Sequence, residues 1–363
     1  MSTLAAIGVL AILIFVHELG HFLAARLQGI YANKFSIGFG PVLLKYQGKQ
    51  TEYALRALPL GGFVGFPDDD PESDISPTDP NLLSNRPVLD RAIVISAGVI
   101  ANLIFAYFLL VVQVSVIGFQ QIDYHPGVVV AGIADTLSTA AGKAGIQPND
   151  AVLAVNSQQL GEGKPAIVKL MAAIQSHPNQ PITFQIERDK KTLEIQVTPD
   201  ATADGKGQIG VRLVPNADII IDRSINPIDA LKKGAVEFER VIVLTVQGLA
   251  QLVTNFGETA TQIAGPIKIV EIGSSIAENN IAGLLQFGAL ISVNLAVMNT
   301  LPLPALDGGQ LAFLLLEGLM GKPLPMKIQE TVMQTGLFLL LGLGVFLVIR
   351  DTANLSSVQQ FFK

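Results

Sequence analysis

Four long apolar stretches divide the chain. Residues 4–27 run apolar from Leu4, with no charge before Glu18, and residues 92–122, 279–306 and 331–349 carry no charged side chain at all. A bilayer core about 30 Å thick takes roughly 20 helical residues, so each stretch can cross it as a helix. Between the second and third stretches the pattern shortens. Residues 127–133, 151–155, 182–188 and 192–198 read as strands and 166–175 as a helix, enough for one small α+β domain. Residues 228–255 read as an amphipathic helix bearing Asp229, Lys232, Lys233, Glu237, Glu239 and Arg240, which lies on the membrane or leans on the helix bundle. The pattern predicts a polytopic α-helical membrane protein of about four transmembrane helices with one inserted α+β domain.

The loop after the first span has two halves. Residues 35–66 are rich in glycine and hold strand-like runs at 42–46 and 51–58 around a turn at Gly48, which predicts a membrane-associated β-hairpin. They end in Pro59-Leu60-Gly61-Gly62-Phe63-Val64-Gly65-Phe66, too apolar for a solvated loop. Residues 67–81 are acidic and rich in Pro and Ser, and read as exposed chain. Gly265-Pro266 reads as a break ahead of the third span. The expected parts are an N-terminal membrane part (1–123), the inserted domain (124–213), an amphipathic helix and linker (214–278) and a C-terminal membrane part (279–363).

Composition sharpens this picture. Half of the residues are hydrophobic and only 15% are charged, against about 25% in an ordinary soluble protein. A net charge of −6 and the lack of any Lys/Arg-rich run exclude nucleic acid as a partner. There is no cysteine, so any metal must be held by His and carboxylate. Met1-Ser2-Thr3 carries no positive side chain, and the first apolar run continues into His17-Glu18-Leu19-Gly20-His21 rather than a cleavage site. A retained membrane helix is therefore expected, not a cleaved signal. Lys34, Lys45, Lys49, Arg56, Arg86 and Arg91 in the first loop and Lys322 and Lys327 in the last place both loops in the cytoplasm, with both termini and the inserted domain outside it and the chemistry toward the cytoplasmic side. Arg350 and Lys363 weigh the other way.

His17 and His21 are four residues apart, so on a helix they share one face. Two neutral imidazoles so placed can bind one Zn²⁺, and Glu18 beside them can take a proton from a water on the metal. The bland alternative is a pair of histidines packed between helices. Ionisable groups at membrane depth weigh against it, being costly and functional by default. His125 and His177 lie in the inserted domain, so a third ligand must come from elsewhere. Asp307, the first charge after residues 279–306, is the candidate; a plain carboxylate at a helix end is the alternative. At about 1.5 Å per residue, His17 lies roughly 20 Å into the bilayer core, and Asn299 lies at a similar depth if the third span starts near Gly283. Pro302 and Pro304 prevent regular helix there and leave an extended turn that can deliver Asp307. Asn299 can hold substrate backbone or a developing oxyanion, or satisfy carbonyls that the prolines free. Gly61-Gly62 either line the site or pack as a loop, and lining is favoured at membrane depth.

With these motifs in hand, the chain resembles the site-2 protease family of intramembrane metalloproteases, in its bacterial-type branch with a PDZ domain. The resemblance rests on HELGH at 17–21, PLGGFVGF at 59–66, GP at 265–266 and NTLPLPALDGG at 299–309, and spans nearly the whole chain. It implies zinc held by His17, His21 and Asp307, Glu18 as catalytic base, and Asn299 in substrate binding. Residues 124–213 resemble a bacterial PDZ domain, most clearly over 144–156, although Asn149 replaces the usual Gly before Asp150 and Ser157 stands where Gly commonly follows Asn156. Residues 207–211 are the candidate loop for a chain-end carboxylate. The resemblance further implies single-pass membrane substrates already trimmed by another protease, such as anti-sigma factors or signal-peptide remnants. The membrane would be a plasma (inner) or an internal one. Two other functions compete: a non-catalytic PDZ scaffold, and a metal transporter, which leaves Glu18 and the PDZ unexplained.

Overall fold

The computed structural model describes residues 1–70, 73–134, 138–259 and 263–354; Pro71 and Glu72 of the acidic segment and the C-terminal Lys363 lie outside them. Helix α1 (Ser2–Leu27) leads into strands β1 (Lys34–Gln47) and β2 (Glu52–Gly65) and then helix α2 (Val88–Val116). There follow β3 (Phe119–Ile133), α3 (Ala140–Lys143), β4 (Ala151–Val155), β5 (Gln158–Gln159), α4 (Gly163–Gln175), β6 (Ile182–Arg188), β7 (Lys191–Val197), β8 (Asp200–Ala201), β9 (Gly207–Gln208) and β10 (Val211–Asp222). The chain continues through α5 (Pro227–Thr254), α6 (Phe256–Thr259), α7 (Pro266–Asn279), α8 (Gly283–Thr300), α9 (Asp307–Met320) and α10 (Met326–Asn354). It divides into two compact units, Phe119–Asp222 and the remainder.

Four helices of the larger unit, Ser2–Leu27, Val88–Val116, Gly283–Thr300 and Lys327–Ala353, are long and apolar enough to cross a membrane. They coincide with the four apolar stretches, with shifted ends. The second stops at Val116 rather than at residue 122, because Gly118 turns to φ +87° and the chain enters β3 at Phe119. Hydropathy alone cannot separate the end of an apolar helix from the start of an apolar strand. The third stops at Thr300 because Pro302 forces the residue before it out of helical geometry, and Leu301 accordingly takes ψ 140°.

Small residues set the packing of this unit. At Gly20 an added Cβ would lie 2.7 Å from Ala101 Cβ, so α1 and α2 meet almost backbone to backbone. Gly273 of α7 is similarly close to Ala6 and Phe287. The amphipathic helix α5 leans on the bundle: Ala230, Gly234 and Val241 are buried, Tyr107 donates to the Leu231 carbonyl at 3.0 Å, and Thr245 donates to Asn294 at 2.7 Å. Gly265-Pro266 proves to be the start of a helix. Pro266 opens α7, the Asp351 carboxylate accepts the Lys268 N–H at 3.0 Å, and a side chain at residue 265 would strike that carboxylate.

The expected hairpin is more folded than a hairpin. Residues 42–47 pair with 52–56 in antiparallel fashion around the Gly48 turn, as the sequence suggests. Both strands then bend back, at Gly38 and Gly40 (φ +87° and +83°) and at Gly61 (φ +107°). Residues 34–37 thereby lie between 52–55, in parallel, and 62–65, antiparallel, which leaves 62–65 as one edge. Leu43, Leu44 and Tyr46 on the outer ribbon are largely exposed.

The smaller unit is an antiparallel sheet in the order β10-β3-β4-β6-β7 with α4 against it, over a core that includes Val128, Val152, Leu170, Phe184 and Ile186. Asp150, almost fully buried, receives two hydrogen bonds from Arg188, each 2.7 Å, and one from the Gln147 N–H. Asn149 sits at φ +73°, and Asn156-Ser157 form the two-residue turn between β4 and β5 at φ +47° and +65°. The preference for glycine at 149 and 157 thus has a conformational cause, and Asn, unlike Ser, enters this region readily. Ser157→Gly should stabilise this unit by roughly 1 kcal/mol. Slower amide exchange across 151–155 and 182–188 in the full-length protein would show it; unchanged exchange would mean that the turn is unstrained.

Candidate metal centre

The centre is built from two stretches far apart in the chain, both in the larger unit. Helix α1 carries His17 and His21 one turn apart, their rings edge to face with centroids 4.8 Å apart and Nε2 atoms 3.3 Å apart. Asp307 arrives from the other end of the chain as the first residue of α9, where its carboxylate also suits the positive end of the helix dipole. Its Oδ2 lies 3.3 Å from His17 Nε2 and 3.4 Å from His21 Nε2. One donor atom from each residue lies within 4.8 Å of the other two.

The turn that delivers Asp307 needs its unusual sequence. Residues 301–306 leave helical geometry after Thr300, and Ala305 takes φ +68°. Gly308 and Gly309 then pack so tightly on the carbonyls of Thr300, Leu301 and Leu303 that any side chain there would collide with backbone. Pro304 rests on Gly336 of α10.

The donor set fits a metal. Asp307 Oδ2 is buried with no hydrogen-bond partner, while two ring nitrogens converge on it. Two imidazole nitrogens and one carboxylate oxygen, with a fourth position left open, match catalytic zinc sites. The far side of the His21 ring faces the Val94 carbonyl, with Nδ1 at 2.9 Å. A proton held there leaves Nε2 free to ligate. Helix α2 makes room for both rings at Gly98, where a Cβ would overlap His21 Nε2 and lie 2.8 Å from His17 Cε1.

Glu18 lies beside the donor group and is not one of its three members. Its carboxylate accepts a hydrogen bond from the Val64 N–H, and its Cγ would be 2.8 Å from a Cβ at Gly62. The sheet edge at 62–65 therefore borders Glu18. Asn299 is buried at the end of α8 with Nδ2 3.2 Å from His17 Nε2. Of the other expected substrate-binding residues, Gly61 sits over the Phe39 ring, Pro302 is exposed, and Pro304 supports the turn. His125 and His177 are in the smaller unit, where His125 pairs with Asp218 and His177 with the Ala173 carbonyl.

Sequence reasoning missed the contribution of α2, namely Val94, Gly98 and Asn102. Asn102 was detectable as a polar residue in the middle of a charge-free span, and the structure buries it fully. A cavity of about 640 Å³ also opens in this unit, lined by Phe66, Arg91, Gln310, Phe313, Glu317 and Met333 among others. At its wall Arg91 and Glu317 form an ion pair.

Comparison with known proteins agrees with this architecture. A protein of Nostoc sp., provisionally named a zinc metalloprotease, is 58% identical over the whole of both chains. A Synechocystis sp. protein with the same provisional name is 58% identical over 99% of this chain and 97% of its own. A chloroplastic membrane metalloprotease of Arabidopsis thaliana is 47% identical over 99% of this chain and 80% of its own. Residues 5–343 match the model of peptidase family M50, and the chain belongs to that family.

Proposed function

We propose that this integral membrane protein is a zinc endopeptidase that cuts the membrane-spanning segments of single-pass proteins. The observation that carries the reading is the convergence of His17, His21 and Asp307 on one point beside Glu18. In this reading His17 and His21 through Nε2, and Asp307 through its carboxylate, hold the ion. Zinc, when bound, supplies Lewis acidity, which polarises a carbonyl and brings the ionisation of water near neutral pH. Glu18 takes the proton of the attacking water and passes it to the departing amine. Asn299, whose amide reaches the centre, donates to the oxygen on which charge develops.

A substrate helix hides its carbonyls in its own hydrogen-bond ladder and must unwind before it can be cut. The freed groups cost several kcal/mol each in hydrocarbon unless partners are at hand. The edge at 62–65 supports a role as that partner, since extended substrate can add to it as a further strand beside Glu18. Pro302 and Pro304 support the turn behind Asn299. In the smaller unit, a groove between α4 and 207–211 supports the PDZ reading, with a chain end held there for screening. We take this unit and both termini to lie outside the cytoplasm, and the substrates to be trimmed beforehand by another protease.

The test uses purified full-length protein with a single-pass substrate in vesicles. Bound zinc near one per chain, cleavage within the apolar segment, and loss of cleavage on chelation that zinc restores are expected. Cleavage that survives complete removal of zinc would sink the reading, as would a wild-type protein that binds none. A scaffold would bind chain ends and cut nothing.

A further inference from the structure

We propose that Asn102 of α2 is a positioning residue for His17. Its amide oxygen accepts the Nδ1 proton of that ring and so keeps Nε2 unprotonated toward Asp307. This inference rests on the metal reading above and adds to it the group that sets the tautomer of one ligand.

A neutral imidazole carries one proton on two nitrogens. On the His17 ring, Nε2 is the atom that faces the centre, 3.3 Å from Asp307 Oδ2 and from His21 Nε2. To ligate there, the ring must keep its proton on Nδ1, and a buried N–H needs an acceptor. For His21 the Val94 carbonyl is that acceptor, and a backbone carbonyl can play no other part. For His17 the partner at Nδ1 is the Asn102 side chain, at 3.3 Å.

Asn102 is fully buried. The structure turns its Nδ2 toward the ring and leaves its Oδ1 buried with no hydrogen-bond partner. Half a turn about the last side-chain bond exchanges the two atoms, and the network decides between them. With nitrogen toward the ring, Nδ1 must accept and the proton moves to Nε2, where it would occupy the ligating lone pair. With oxygen toward the ring, Nδ1 donates and Nε2 is free. Loading the centre with metal therefore selects the second orientation.

The contribution of Asn102 to helix packing is separable from this role. The α2–α8 hydrogen bond at this residue is made by its backbone carbonyl, which accepts the Ser292 hydroxyl at 2.8 Å. Any side chain at 102 leaves that acceptor in place.

The experiment measures zinc affinity of the full-length protein by competition with a chromogenic chelator, together with ¹⁵N spectra of histidine-labelled protein, which four histidines keep tractable. Asn102→Leu keeps the bulk and removes the acceptor, and Asn102→Ala guards against misfit of the leucine. Both should lose roughly 10- to 100-fold in zinc affinity. Asn102→Asp restores an oxygen at the same place and should stay within a few-fold of wild type. Ser292→Ala, which removes the packing bond only, should bind zinc as wild type does. In zinc-loaded wild type the His17 signals should be those of the Nδ1–H tautomer. Folded Leu and Ala variants that bind zinc like wild type would overturn the proposal alone, and so would an Asp variant as weak as Leu. A wild-type protein that binds no zinc would overturn the metal reading and this inference with it.

Discussion

Glu18→Gln should leave the protein with its zinc and without its peptidase activity. Glu18 contributes no atom to the group formed by His17, His21 and Asp307. Glutamine fills the same space beside Gly62 and still presents an oxygen to the Val64 N–H, so the surroundings of the centre should not move. It cannot take the proton of an attacking water. A positioned general base contributes about 10²- to 10⁴-fold, so cleavage should fall by about that factor or more. Zinc content by atomic absorption and cleavage of one vesicle-bound substrate measure the two properties separately. Cleavage near the wild-type rate would remove Glu18 from the mechanism, and loss of zinc would make it part of the metal site.

The second large effect is expected at a residue with no side chain of its own. Gly98→Ala adds one methyl group on α2, and that methyl would overlap His21 Nε2 and crowd His17 Cε1. Neither side can yield cheaply, because His21 is tied to the Val94 carbonyl on the same helix and α1 already touches α2 at Gly20. The rings must tilt or the helices separate. A misplacement on the order of 1 Å costs about 10²-fold in rate, and zinc affinity should fall by a comparable factor. Gly8→Ala in α1, where an added Cβ meets nothing within 4 Å, should be silent and serves as the control. If Gly98→Ala holds zinc and cuts like wild type, α2 does not support the histidines.

These two residues differ in how plainly the sequence announces them. HELGH is legible because both ligands and the neighbouring base fall within one helical turn, so spacing alone carries the geometry. Asp307 is legible through its surroundings, being the first charge after a long apolar run that two prolines interrupt. The four spans are legible because hydrocarbon demands length and apolarity and little else. Gly98 is not, since one small residue among Ser96, Ala97 and Ala101 gives no sign that it faces two imidazoles. The fold-back of β1 and β2 is hidden for a similar reason. Strand propensity reports the ribbons, but the bends at Gly38, Gly40 and Gly61 decide which ribbon becomes the edge beside Glu18. Helix α7 escapes notice because its start depends on a distant partner, Asp351, and α9 because Gly308 and Gly309, poor helix formers, stand in its first turn packed on the carbonyls of 300–303.

The cavity lined by Phe66, Arg91 and Gln310 bears on where the second reactant comes from. Hydrolysis consumes one water for each bond cut, and the hydrocarbon around the spans holds almost none. At about 30 Å³ each, roughly twenty water molecules fill a space of that size. Gln310 stands one turn of α9 beyond Asp307, and Phe66 lies two residues past Val64, which holds Glu18. The sheet edge at 62–65 borders Glu18, and the cavity with its Arg91–Glu317 pair is lined by other residues, so in the reading proposed above polypeptide and solvent need not share one surface. Were water drawn from such a reservoir, the bundle would have no need to part α1 from α2 for each turnover, and the close contacts at Gly20 and Gly98 that aim the histidines would stay shut throughout.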